Sequence, residues 1–253
     1  MEPYVISLMY YAAVIMSCEL LRRLAFRVLG REETLLRQLV VEFLGTLQVC
    51  ACVFENKLVI QYYGVGGFFI TVVALVTAHS FLNRGAIVTP CATVERFLKS
   101  GNLGEAGAAL GVQLLGGYSA FRLAKLIWAL HLSADHAAQY TAFPCSLNYR
   151  VPLVLFCLAE FSLCFLIRSV VGRANPRRRR YVAAVTQASA LSIELTFLGP
   201  PGLNPIIAFS RLYGCKGLGL LGHFVVYWLC PISGWLTAAH FHKEPQQVHA
   251  KKE

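Results

Sequence analysis

Residues 200–215 read PPGLNPIIAFSRLYGC, in which Asn204-Pro205 opens an apolar segment, 205–213, that stops at Gly214. Proline is favoured in the first helical turn, and an asparagine just before it can cap the free amides there. The helix so started is too short to cross a bilayer, whose hydrocarbon core of about 30 Å needs about 20 residues. Residues 90–99 read the same way, since Thr89-Pro90 opens a second short segment behind a polar residue. Both sit among long apolar runs, so the chain reads as an all-α membrane protein with two broken, re-entrant half-helices.

Composition agrees. Of 253 residues, 57% are hydrophobic and 14% charged, and the mean hydropathy is +0.57, more apolar surface than one soluble core can hide. Hydropathy, punctuated by glycine, proline and arginine, places spans at 4–22, 38–55, 66–83, 105–130, 151–172, 181–198 and 219–241. Residues 4–29 are too long and too arginine-rich for a cleavable signal peptide, so an anchoring helix is expected.

Positive charge is retained on the cytosolic side of short loops. Arg22, Arg23, Arg27, Arg31 and Arg37 fall between the first two spans, and Arg173 with Arg177, Arg178, Arg179 and Arg180 between the fifth and sixth. Arg84, Arg96 and Lys99 mark residues 84–104 in the same way, whereas 55–65 carries only Lys57 and 131–150 only Arg150, opposed by Asp135. One orientation satisfies every loop: the tail with Lys243, Lys251 and Lys252 is cytosolic, the N-terminus lies outside or in a lumen, and the two half-helices enter from opposite sides.

An internal repeat supports this inversion. Val41-Glu42-Phe43-Leu44 recurs as Ala159-Glu160-Phe161-Ser162, and the half-helix proline follows the glutamate by 48 positions in one half and 45 in the other. The expected organisation is an N-terminal anchor and basic loop (1–37), a membrane domain (38–241) made of two repeats (38–130 and 151–241), and a tail (242–253). Inverted repeats whose broken helices meet at the midplane are a transport architecture.

Other classes find little support. The net charge of +10 comes largely from arginine runs between apolar segments, which topology explains without a nucleic-acid partner. The nine cysteines mostly lie within apolar runs with no CxxC pair, so neither a metal site nor a redox centre is expected. No nucleophile with its base and no phosphate-binding glycine loop points to an enzyme, and no cofactor is implied.

The chain resembles the aquaporin family, and within it the superaquaporin subfamily of aquaporins eleven and twelve. The resemblance rests on Glu42-Phe43-Leu44-Gly45-Thr46, Cys50-Ala51-Cys52, Thr89-Pro90-Cys91, Asn204-Pro205-Ile206, Cys215 and Val226-Tyr227-Trp228-Leu229-Cys230-Pro231, in that order. It implies six core helices and two half-helices, here with an extra N-terminal helix, and a passive channel for water and small neutral solutes such as glycerol or hydrogen peroxide. It also implies a homotetramer in the bilayer, and with the lysine-rich end an endoplasmic-reticulum location, the plasma membrane being the other choice.

Three departures bear on conduction. Thr89 replaces asparagine in the first motif, Ile206 replaces alanine in the second, and Ile207 stands where orthodox members place a constriction arginine. Asn204 is expected to cap its helix and point two donors at a passing water, while Thr89 keeps a capping oxygen with at most one donor. Ile207 removes a fixed charge and five donors from the narrow region. A non-conducting membrane protein that keeps the fold is therefore the main alternative. An ion-coupled transporter, with Glu194 as its carboxylate, is a further one.

The resemblance implies that Glu42 and Glu160, buried acids within apolar spans, brace the re-entrant loops through backbone amides. Arg122, Lys125 and Arg168 are expected to snorkel from helix ends. His79 lines the cytosolic mouth or sits satisfied in the core, and Cys91 faces the vestibule or a neighbouring helix. Cys145 and Cys215 fall in loops on the outer or lumenal side, where a bridge between them can persist. Gly107, Gly111, Gly116 and Gly117 permit close helix approach.

Overall fold

The computed structural model describes residues 2–30 and 32–241. The expected tail, with Lys243, Lys251 and Lys252, and Arg31 of the first basic loop lie outside the described residues.

Helix α1 (Pro3–Leu29) starts on a proline in its first turn and continues seven residues past the expected end at Arg22. Arg22, Arg23 and Arg27 are therefore helical, and Arg22 is buried, donating from Nη2 to Gln48 Oε1 at 2.8 Å. α2 (Leu35–Leu82) is opened by Thr34, whose hydroxyl accepts from the Arg37 amide. In place of the loop expected between the second and third spans, α2 breaks at Gly64 alone (φ 61°, ψ −160°), a conformation that glycine adopts without a Cβ penalty. Its two arms are the second and third expected spans.

α3 (Pro90–Ser100) is the first half-helix, ending at Gly101 in the left-handed region (φ 69°). α4 (Leu103–Trp128) follows, then α5 (Ala134–Thr141), a short helix capped by Ser133 that the hydropathy reading did not anticipate. The second half comprises α6 (Leu153–Arg173), α7 (Arg179–Ile193) with a π-helical turn at Glu194–Leu198, and the half-helix α8 (Pro205–Leu212). α9 (Leu220–Phe224), a π-helical turn at Val225–Leu229 and α10 (Cys230–Phe241) form the last rod. Among the described residues, five helices or helical rods are long and apolar enough to cross a membrane: α1, α2, α6, Arg179–Leu198 and Leu220–Phe241.

Lipid tails are as apolar as leucine, so helices in a bilayer associate through close packing and hydrogen bonds. Gly116 shows the first: a Cβ there would stand 2.9 Å from the Phe43 carbonyl oxygen, so α4 seats against α2 only with glycine at this position. Gly117 faces α8 in the same manner, whereas a Cβ at Gly107 or Gly111 would meet nothing within 4 Å among the described residues. α1 shows the second. Tyr10 donates to the Ala51 carbonyl, Tyr11 to Asn56 Oδ1 and Ser7 to Glu55 Oε1, each at 2.8 Å. Glu55 is buried and also meets His136 Nε2 at 3.2 Å, so α1, α2 and α5 converge on one carboxylate.

Candidate pore

The loops that lead into the half-helices are built alike. Glu42 accepts from the amides of Ile87 (2.7 Å) and Val88 (2.6 Å) and from Gln113 Nε2 (2.7 Å). Glu160 accepts from the amide of Leu203 at 2.8 Å. Each carboxylate thus holds the residue immediately before the motif, Val88 or Leu203. Both have positive φ, 54° and 56°, a conformation that costs a residue with a Cβ on the order of 1–3 kcal/mol and persists only where its surroundings impose it. The hydrogen bonds from Glu42 and Glu160 to these amides supply that constraint. Gly202 completes the second site, because a Cβ there would overlap Glu160 Oε1 and the Tyr227 ring.

The motifs themselves differ. Asn204 caps α8 by accepting from the Ile206 amide at 3.1 Å, and its Nδ2 donates to the Val88 carbonyl of the opposite loop at 2.9 Å. One of its two donors is therefore already used. Thr89 occupies the cap position of α3 but makes no side-chain cap bond, contrary to the expectation that its hydroxyl caps. The Leu203 carbonyl meets the Cys164 thiol at 3.3 Å. Pro90 and Pro205 are buried at the first turns of the two half-helices, which contact one another.

A cavity of about 340 Å³ runs beside this junction. Thr89, Asn204 and Ile207 line it, together with Cys52, Asn56, Val72, His79, Gln187, Trp235 and Arg211. Ile206 does not. It is fully buried, and its Cγ2 would stand 3.1 Å from a Cβ at Gly117, so a larger residue than alanine fits because α4 offers glycine there. His79 both lines the cavity and is buried in the core, with Nε2 3.9 Å from Cys52 Sγ. Cys91 is fully buried away from the lining. Glu194 is likewise buried, beside Glu160 behind the loop, and contributes nothing to the cavity wall.

Two ties hold the half-helices to their surroundings; the first was invisible in the sequence, whereas the second is the bridge expected between Cys145 and Cys215. Glu95 of α3 accepts from Arg168 Nε (2.9 Å) and Nη2 (2.8 Å), from Lys99 (2.7 Å) and from Trp235 Nε1 (2.7 Å). Arg168 therefore clamps α3 to α6 instead of snorkelling. At the other end, Cys145 and Cys215 form a disulfide with Cα atoms 4.9 Å apart. Both sulfurs lie 3.5 Å from the Arg211 carbonyl oxygen, at the last turn of α8. Arg211 itself was not anticipated as a lining residue. Its spacing of four from Ile207, one helical turn, was the available signal.

The chain is 37% identical over 218 residues to putative aquaporin-10 of Caenorhabditis elegans, covering 83% of this chain and 77% of that protein. It is 27% identical over 237 residues to aquaporin-11 of Milnesium tardigradum, with 92% and 85% covered. Aquaporin-11 of Homo sapiens is 27% identical over 236 residues, with 88% and 84% covered. No protein-family model matches the chain.

Proposed function

This chain belongs to the aquaporin family and is an integral, multi-pass membrane protein, and on that premise we propose that it is a passive channel for water and small neutral solutes, glycerol and hydrogen peroxide among them. The observation that carries the proposal is the pair Thr89 and Asn204 on the wall of one cavity at the meeting point of two half-helices. Helix N-termini carry partial positive charge, so two of them facing one lumen disfavour cations and protons while leaving neutral molecules free to pass. The remaining Asn204 donor and the Thr89 hydroxyl orient water from opposite loops. Their inequality makes this a weaker, asymmetric station.

In this reading Pro90 and Pro205 start the half-helices, Glu42 and Glu160 shape the loops, Ile207 is the apolar wall of the narrow region, and Cys91 and Ile206 are packing members of the motifs. Cys215 lies on the outer or lumenal face, where its bridge to Cys145 persists. Residues 38–241 are the channel domain, and α1 is an added anchor that supplies no lining residue of its own, although its Tyr11 holds the lining residue Asn56. The protein acts as a homotetramer in the endoplasmic reticulum. The open faces of Gly107 and Gly111 suit a neighbouring protomer.

Ile207 on the wall supports a second reading, a non-conducting protein that keeps the fold. The transporter reading loses its support, because Glu194 is absent from the lining. Stopped-flow light scattering on proteoliposomes, challenged with sucrose and with glycerol, separates the two that remain. Shrinkage or glycerol entry faster than in empty vesicles, and lost in Asn204→Asp, supports the channel. Rates equal to empty vesicles, with incorporation verified, select the non-conducting protein.

A further inference from the structure

The departure at Ile207 suggests a lumen without fixed charge, but the cavity wall has one. Arg211 follows Ile207 by a single turn of α8, so both side chains share one face, and both line the cavity. Among the described residues Arg211 is the only lining residue with a formal charge, since no Asp, Glu or Lys contributes to the wall. Among the described residues its guanidinium has no hydrogen-bond or ion-pair partner, in contrast to Arg22 and Arg168, which are held by Gln48 and Glu95. An arginine does not lose its proton at accessible pH. A cation this deep with no counter-charge has its field directed into the lumen, where little water screens it. Its backbone is fixed as well, with the carbonyl oxygen packed against both sulfurs of the Cys145–Cys215 bridge.

We propose that Arg211 is the selectivity residue of this pore, displaced one helical turn from the position that Ile207 occupies. It repels cations at the disulfide end of the lumen and offers guanidinium donors to uncharged solutes that carry acceptor oxygens. Ile207 then provides only width. The assignment rests on the channel reading, and it makes the charge and the constriction separable, because they reside in different side chains.

The test uses proteoliposomes of the full chain carrying wild type, Arg211→Lys or Arg211→Gln, with osmotic water efflux and potassium uptake measured on the same preparations. Wild type and R211K are expected to exclude potassium. R211Q, close in size but neutral, is expected to raise potassium uptake, normalised to its own water efflux, by at least about tenfold, the factor that a single unscreened charge at a few ångströms readily supplies. Wild-type vesicles that conduct water beside an R211Q variant that stays cation-tight overturn the Arg211 assignment alone. Wild-type vesicles no faster than empty ones defeat the channel reading, and the selectivity role with it. Should R211Q fail to incorporate, Arg211→Cys is labelled with a membrane-impermeant, negatively charged thiol reagent. Faster modification than in wild type, whose native cysteines set the background, supports a lumenal position, and no added modification overturns it.

Discussion

The Asn204 side-chain amide donates to the Val88 carbonyl oxygen across the molecule, at 2.9 Å, and so ties the second re-entrant loop to the first. No equivalent bond returns from Thr89 among the described residues, since the Leu203 carbonyl meets the Cys164 thiol instead. The two halves share a backbone design but not a side-chain reciprocity. The junction therefore depends on one residue.

Replacing Asn204 with alanine removes both the α8 cap and this tie. The lost cap costs about 1 kcal/mol, and the loss of the donor to the half-buried Val88 carbonyl on the cavity wall about 1 kcal/mol more. Thermal unfolding in detergent should fall by several degrees, and water permeability should drop, in Asn204→Ala. Thr89→Ala, which forfeits no cap bond, should leave stability nearly unchanged.

Glu42 holds its loop through two amides and Gln113. A glutamine there offers one acceptor oxygen and turns an NH₂ toward donors, which leaves about 1–3 kcal/mol of unsatisfied bonding. Glu42→Gln is expected to lower the unfolding midpoint and to raise proteolysis within residues 84–88. An unchanged midpoint would argue that the loop holds its conformation without the carboxylate.

Ile206 and Gly117 form a size-matched pair. Gly117→Val should destabilise by about 1–3 kcal/mol through overpacking, and adding Ile206→Ala should restore part of the loss. Additive unfolding shifts in the double variant would show that the two do not share space.

Arg168 and Glu95 are coupled midway along α3. Removing Arg168 leaves a half-buried carboxylate with fewer donors, at a cost of about 1–3 kcal/mol, so Arg168→Ala should be less stable than wild type, and the double variant with Glu95→Ala less affected than the sum of the two. A cycle with zero interaction energy would assign the clamp to Lys99 and Trp235 alone.

Much of this was written locally in the chain. Pro90 and Pro205 behind polar residues marked the half-helices, and the recurrence of Glu42-Phe43 as Glu160-Phe161 marked the repeat. What stayed hidden depends on distance in space. Gly64 breaks α2 in a single residue, so hydropathy saw a loop where helix continues. Arg22 and Arg168 looked like solvated or snorkelling charges because Gln48 and Glu95 are far away in sequence. Ile206 read as an obstruction because its accommodation belongs to Gly117 of another helix. Arg211 was legible through its one-turn spacing from Ile207, but only the cavity wall shows that this face points inward.

In the proposed channel, solute passes along the wall shared by Thr89, Asn204 and Ile207. Osmotic water permeability of proteoliposomes carrying Ile207→Ala, wild type and Ile207→Trp at equal incorporation measures whether it does. Permeability should fall in that order as the side chain grows, with Ile207→Trp close to empty vesicles. Equal rates across the three, or no excess over empty vesicles even in Ile207→Ala, would contradict it.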